Sequence, residues 1–452
     1  MNARQKTFLI LFVAAASAYG MGRRPQGTSP IPLAAEKSDA IDYRMIEDDQ
    51  GGFYALWSHE ASTDTFSVYG QHIDTAGGAT WDKPGIPLAH GIPDDISWDG
   101  FADGKGGFIV TWNEDGAIKA QRFGANGKGK WDENLRINTS SSPVSRPVGI
   151  ADADSGAFII WPEKRYSERW VLVAQHVNGS GIDIWNPDGQ RISLYPSNQR
   201  DPRVVYDGAS GAVVAWRETR DRAVRVQAQR LDYQGNLLWG QEGALVTTPA
   251  GAAADFTRIE PLGRGMTVTA WLTSMSGVSR LMLQGISAEG HPLWDPRGLQ
   301  FSPGGWDEWN PFLLAAGDGT AWAGWEDHRN LEHWQIYVGA ADRQGQPLFE
   351  SNDFALAPSR SDQGRIALAE DGRHGLFGVW LDNRLGDDAL FMQRIDDQGH
   401  RRLGESGRLL VRNLRKPQPP KMITLAPGRA AVLWADAINP GEWGLYWVLA
   451  GG

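Results

Sequence analysis

Apolar residues in this chain come in short runs, each opening after a glycine-containing turn and closing on tryptophan. Gly51-Gly52-Phe53-Tyr54-Ala55-Leu56-Trp57, Gly106-Gly107-Phe108-Ile109-Val110-Thr111-Trp112 and Gly211-Ala212-Val213-Val214-Ala215-Trp216 share the form. Runs of this length, bounded by turn residues, read as β-strands. The closing tryptophans, Trp57, Trp112, Trp161, Trp216, Trp271, Trp325, Trp380 and Trp434, stand 55, 49, 55, 55, 54, 55 and 54 residues apart. A period near 54 built from β-type segments marks a propeller or a solenoid. It overrides the roughly three domains that chain length alone would suggest.

Order inside a unit is fixed. A first strand such as Pro202-Arg203-Val204-Val205-Tyr206 passes through Asp207-Gly208-Ala209-Ser210-Gly211 into the tryptophan strand. A variable loop leads to a third strand, Val226 to Leu231, and Asp232-Tyr233-Gln234-Gly235 turns the chain into a fourth, Asn236-Leu237-Leu238-Trp239. The same glycine-to-aromatic step recurs from Gly77 to Trp81, Gly127 to Trp131, Gly181 to Trp185, Gly290 to Trp294 and Gly345 to Phe349. Asp, Asn or Ser opens the turn because a short acceptor caps its free amides, and glycine ends it where φ must be positive. Four strands apolar on both faces fit blades packed between blades. The expectation is an all-β, eight-bladed β-propeller with four-stranded antiparallel blades. Unit eight reaches its third strand at Trp443 to Leu449 without a fourth, while Ile31-Pro32-Leu33-Ala34 matches Ile86-Pro87-Leu88-Ala89, the fourth strand of unit one. The N-terminal strand, within residues 28 to 34, is therefore expected to close the ring and leave no open edge.

Arg4 and Lys6, the apolar run Phe8 to Ala16, and Ala16-Ser17-Ala18 have the order of a secretory signal peptide cleaved after about Ala18. The run is too short for a hydrocarbon core of roughly 30 Å. The expected organisation is a signal peptide over 1–18, a short linker over 19–27 and one propeller domain over 28–452. The protein is expected to be secreted or periplasmic, monomeric and not inserted in a membrane. Absence of cysteine removes disulfides, thiolate metal sites and cysteine nucleophiles. A net charge of -10 without a long basic run argues against nucleic acid as a partner. The 21 tryptophans need a regular place to be buried, which a repeat supplies.

The pattern Gly-Gly-x-x-x-x-Trp, then Ala-Gln-Arg-x-Asp-x-x-Gly-x-x-x-Trp, is clearest at Ala228-Gln229-Arg230-Leu231-Asp232 and Met392-Gln393-Arg394-Ile395-Asp396. It resembles the repeat of exported bacterial propeller proteins of unassigned function, from about residue 28 to the end, and implies the fold but no activity. The strand-turn-tryptophan element is also similar to the tryptophan-docking repeat of eight-bladed quinoprotein dehydrogenases and of an outer-membrane assembly lipoprotein. Here the Asp-to-Gly turn is one residue shorter, and the adjacent cysteine pair that many such dehydrogenases place at their quinone is missing. That likeness is used for architecture only, and no cofactor is expected.

Most candidate chemistry dissolves into the repeat. Gln71, Gln121, Gln175, Gln229, Gln284 and Gln393 share one position and read as buried amides bonding a neighbouring blade's backbone rather than a ring of ligand contacts. Glu163/Arg165, Glu218/Arg220, Asp327/Arg329 and Asp382/Arg384 read as loop braces. Asp152-Ala153-Asp154-Ser155-Gly156 begins like a calcium loop but lacks the further acid. No serine elbow, His-x-x-x-His pair or phosphate loop occurs, and the nine histidines are not repeated.

Eight tryptophans exceed what the repeat needs: Trp98, Trp170, Trp306, Trp309, Trp322, Trp334, Trp443 and Trp447. Trp306, Asp307 and Trp309 precede strand one of unit six, and His328, His333 and Trp334 sit in its loop from strand two to three. Both loops leave the blade on one face. Indoles beside polar groups suit a sugar or a peptide; the alternative is a hydrophobic plug under the loop. Those six residues are the candidate site of an exported, non-catalytic propeller binding a glycan or protein ligand. The rival is a carbohydrate-active enzyme, hydrolase or lyase, whose acids meet across the central channel without a local motif. A cluster of acids and arginines converging on one pocket would favour the enzyme, and an aromatic platform the binder.

Overall fold

A computed structural model describes residues 29 to 451, apart from 38–40, 63–64, 83, 166–168, 248–253, 276, 303–304 and 351–352. The expected signal peptide, the linker and residue 28 lie outside the described residues. No helix among those described is long and apolar enough to cross a membrane. Eight antiparallel sheets follow one another along the chain. Blade one takes the strands Tyr43–Glu47, Phe53–Ser62, Thr65–Ile73 and Ile86–Ile92. Blade six takes Glu308–Ala315, Ala321–Asp327, Gln335–Ala341 and Phe354–Ala355. Seven sheets have four strands, and blade five has three, its fourth reduced to a bridge between Leu283 and Leu299. First strands of neighbouring blades touch all the way round, the eighth against the first. The molecule is an eight-bladed β-propeller, and those first strands surround its central channel.

The closing strand runs Ile31–Lys37 and pairs with Glu442–Gly451, placing Ile31 opposite Trp447 and Lys37 opposite Glu442. It extends beyond the four residues that the sequence match suggested. It also lends a carboxylate to blade one. In blades two, three, six and seven the buried strand-two indole donates to an acid two residues later, as Trp161 Nε1 does to Glu163 at 3.0 Å and Trp380 Nε1 to Asp382 at 3.1 Å. Blade one has His59 there instead, and Glu36 of the closing strand accepts from Trp57 Nε1 at 2.7 Å and meets the His59 ring.

Burial is shared between blades. The cluster holding Trp57 contains Ala431, Leu433 and Leu445 of blade eight, and that holding Trp216 contains Phe158, Ile160 and Leu172 of blade three. Sequence placed the second set of tryptophans in the fourth strands; the structure puts them in the links just before. Blade four's fourth strand is Ala244–Leu245, and the Asn236-to-Trp239 segment makes a single bridge, Leu231 to Leu237. The repeated glutamine explains the difference. Gln229 Oε1 accepts from Trp239 N at 2.9 Å and its Nε2 donates to Gly240 O at 2.7 Å, which holds the backbone off the ladder. All six glutamines bind their own blade's link in this way, not a neighbouring blade. The freed indole docks on the next blade: Trp239 Nε1 donates to Ala288 O at 2.9 Å, and its ring covers Gly290, where φ is +86° and a Cβ would stand 2.6 Å from it. Glycine is needed there for both conformation and space.

Candidate site at the channel mouth

One repeat position breaks the uniformity. Thirteen residues before each strand-two tryptophan stand Arg44, Asp99, Val148, Arg203, Arg258, Phe312, Ala367 and Lys421. In every blade this residue pairs, in first-strand register, with the residue just before the tryptophan. The frame is constant and the chemistry varies, the reverse of a scaffold position. Sequence reading followed what recurs and so passed over this ring, although the fixed offset from tryptophan was visible in the chain.

The charged members face a common space. Arg44 of blade one binds Asp99 of blade two at 3.1 Å and Asp42 at 2.7 Å. Arg258 of blade five binds Glu260 at 2.9 Å and lies over the Phe312 ring at 4.1 Å. Lys421 of blade eight is pushed down to about 8, first by the protein around it and then by the positive charges of Arg44 and, from across the channel, Arg258. Arg203 of blade four is lowered chiefly by its surroundings too, with Arg258 and Arg44 adding repulsion. Both side chains remain open to solvent. Protein encircles both groups without sealing either from solvent. Burial pushes the carboxyls of Asp99 and Glu260 up, although their arginine partners pull the other way.

Two residues nearer the mouth, Asp201, Asn310 and Arg365 occupy one position in blades four, six and seven, and all three are left-handed, with φ of 55°, 45° and 58°. Each sits where the first strand slips register against the second. Non-glycine residues pay for this conformation, and such strain concentrates where a side chain must be aimed. Glu326 fixes two of the three bulges, accepting from Asn310 Nδ2 at 2.9 Å and Arg365 N at 2.7 Å, and Arg217 pairs with Asp201 at 2.7 Å. All three side chains are exposed.

The blade-six residues singled out from sequence lie beside this rim. Trp309 immediately precedes Asn310 and is 53% exposed. It meets Trp334 edge-on, ring centres 6.0 Å apart, and Trp334 stacks on His328 at 4.8 Å. Leu331, on the same loop, is 71% exposed. His333 Nδ1 lies 3.8 Å from Asp362, which also accepts from Trp334 N at 2.9 Å. Asp307 turns instead to blade five, accepting from Ser279 N at 3.0 Å, and Trp306 is half-buried without a ring contact to the other indoles. The structure thus brings together Trp309, His328 and Trp334, sets His333 beside them, and uses Asp307 as a loop tie.

Other candidates resolve into framework. Arg165 binds Glu163 at 2.6 Å and Arg329 binds Asp327 at 2.7 Å, while Arg220 turns from Glu218 to Glu242 at 3.0 Å. Asp152 Oδ1 accepts two turn amides, from Asp154 and Gly156 at 2.7 Å each, and Oδ2 binds His176 Nε2 at 2.8 Å. Its oxygens close a turn. Among the described residues no group of three or more His, Asp or Glu could hold a metal ion. A cavity near Phe349, Phe354 and Gly399 lies on the opposite end of the blades, where the Phe349 ring docks on Gly399.

No protein-family model matches the chain, and no curated protein matches it. Several solved structures are similar in fold. One is a protein of unknown function from Dyadobacter fermentans, 8% identical, covering 94% of this chain and 99% of its own, with a TM-score of 0.41. Another is a family PL25 ulvan lyase bound to -[GlcA(1-4)Rha3S]-, 9% identical, covering 85% and 98%, with a TM-score of 0.48. A third is an endo-arabinase from Bacteroides thetaiotaomicron, 14% identical, covering 56% and 93%, with a TM-score of 0.30.

Proposed function

We propose that this protein binds a glycan at the mouth of its central channel, on the face where the blade-six loops emerge, without chemically altering it. The observation that carries the reading is exposed Trp309 with the half-buried, mutually stacked pair Trp334 and His328, set directly beside Asn310, Glu326 and Arg365. Flat rings stack on the apolar face of a sugar while the neighbouring amide and guanidinium groups take its hydroxyls. The carboxylates around the mouth are engaged already, Glu326 with two bulges and Asp201 with Arg217. A glycan array probed with the wild type and with Trp309→Ala/Trp334→Ala tests it. Loss of the bound glycans by a variant with an unchanged melting curve is the expected result; retention of all of them sinks the reading.

A second reading keeps the same surface and makes it catalytic. Asp99 and Glu260 both lie on the channel with carboxyl pKa values raised by burial, as a proton donor requires. Incubation with a polysaccharide panel, following new reducing ends and ultraviolet absorbance of unsaturated sugars, separates the two. Turnover abolished by Asp99→Asn or Glu260→Gln would replace the binder with an enzyme.

A further inference from the structure

Two positions along the first strands carry a sign of charge opposite to that of the chain as a whole. At the two channel positions, thirteen and fifteen residues before the tryptophans, six residues are cations: Arg44, Arg146, Arg203, Arg258, Arg365 and Lys421. Asp42, Asp99 and Asp201 are the acids at those positions, so the channel rings are net positive in a chain of net charge -10. The acids are already spoken for by Arg44 and Arg217. Arg258 is matched by Glu260. The side chains of Arg203, Arg365 and Lys421 have no carboxylate within ion-pair distance among the described residues. Arg203 Nη1 reaches only the Pro202 carbonyl at 2.9 Å, and the Lys421 ammonium lies 5.9 Å over the Tyr43 ring. One guanidinium nitrogen of Arg44 is buried without a hydrogen-bond partner.

We infer that these rings are a binding site for the anionic groups, carboxylate or sulfate ester, of an acidic glycan chain threaded from the blade-six platform into the channel. This rests on the glycan reading above and narrows it to a chemical class. Converging unpaired cations repel one another, and a chain gains nothing structural by collecting them in one channel while its surface is acidic. Arg203 and Lys421 each feel the positive charges of Arg44 and Arg258, and an anion bound beside them would offset that repulsion, with low-dielectric walls strengthening its attraction. Guanidinium groups add directional, two-pronged hydrogen bonds to planar carboxylates and to sulfate. Aromatic stacking outside and charge inside would read sugar ring and substituent separately. The groups facing Lys421 are Tyr43, Asp42, Arg44, Asp99 and Arg258; a bound anion would hold its proton more firmly, so affinity should decline as pH passes about 8.

Calorimetric titration of the full chain with oligogalacturonate, with a sulfated dextran oligomer, with neutral dextran of the same length and with inorganic sulfate tests this. Arg203→Gln/Lys421→Gln removes two unpaired cations, and Arg264→Gln/Arg297→Gln removes the same charge at exposed positions away from the mouth. The expected result is that at least one anionic oligomer binds in preference to the neutral one. Kd should weaken tenfold or more, with a shallower salt dependence, in the channel variant only. Whichever oligomer binds more tightly tells carboxylate from sulfate. Equal weakening by both double variants, or an unchanged Kd in the channel variant, overturns the anion site. If neutral dextran binds as well as the acidic oligomers and loses affinity only in Trp309→Ala/Trp334→Ala, the glycan reading stands and this inference falls. If inorganic sulfate binds through the channel residues but no oligomer does, the anion site stands and the glycan reading falls.

Discussion

Glu308 shows how one residue type at one repeat position changes what a blade does. Seventeen residues before the tryptophan, blades four and seven carry Gln199 and Gln363, whose Oε1 atoms accept from Leu172 N at 2.9 Å and Ile336 N at 3.2 Å. Blade six has Glu308 instead, accepting from Leu281 N at 2.5 Å, and burial raises its carboxyl to about 7. A carboxyl raised in the folded state stabilises fully below its ordinary value near 4.5 and loses that contribution as pH climbs through 7. The melting temperature should therefore fall between pH 5 and pH 8. Glu308→Gln should flatten that fall and be the more stable protein at pH 8. Parallel pH-melting curves of the two proteins check it, and identical slopes would count against a buried, ionising Glu308. Trp216 gives a simpler case: fully buried, its indole N–H without a partner, it contributes packing alone. Trp216→Ala should cost about 3 to 5 kcal/mol in urea unfolding. At this scale the sequence disclosed whatever was repeated. It did not disclose Arg203, Arg258 and Lys421 as a group, because their meaning comes from convergence across the ring and not from neighbours in the chain.

Strands and turns were legible where local chemistry decides them. The Asp-to-Gly turns, the tryptophan strands and the closing strand could be read from composition and spacing. Fourth strands could not, because glutamine and a docking indole, both long-range partners, displace the ladder by several residues. First-strand bulges at Asp201, Asn310 and Arg365 were equally hidden, being held by Arg217 and Glu326 from the adjoining strand and, for Arg365, from the adjoining blade. The closing strand carries the clearest prediction for an element. Deleting residues 19 to 37 strips the outer edge of blade eight and removes Glu36 from Trp57 and His59. The melting temperature should drop by on the order of 5 °C or more, with some loss of solubility from the bared edge. Calorimetric melting would show it, and an unchanged curve would reduce the strand to a tail. Glu36→Gln should fall between the two, since it leaves the ladder intact.

For the molecule as a whole, the surface charge and the channel charge have opposite signs. An acidic exterior repels polyanions while the channel rings attract them, so the affinity proposed for an acidic chain at the mouth should rise as salt is lowered. The expected export adds a condition on where such encounters happen. Intact mass of the secreted protein should correspond to a chain beginning near Tyr19, and a soluble product still carrying Met1 would refute it.

Ring closure by the strand Ile31–Lys37 has a mechanical consequence. Because that strand runs antiparallel to Glu442–Gly451 with Ile31 opposite Trp447, both chain ends leave the blade at the same edge. A pull on the two ends does not shear the ladder. It peels the strands apart one hydrogen bond at a time, starting from Ile31. In an optical trap, a molecule tethered by its termini should open at low force and in small steps. Attached instead through a terminus and a residue in blade four, the same ring should resist much longer, because several bonds then carry the load together.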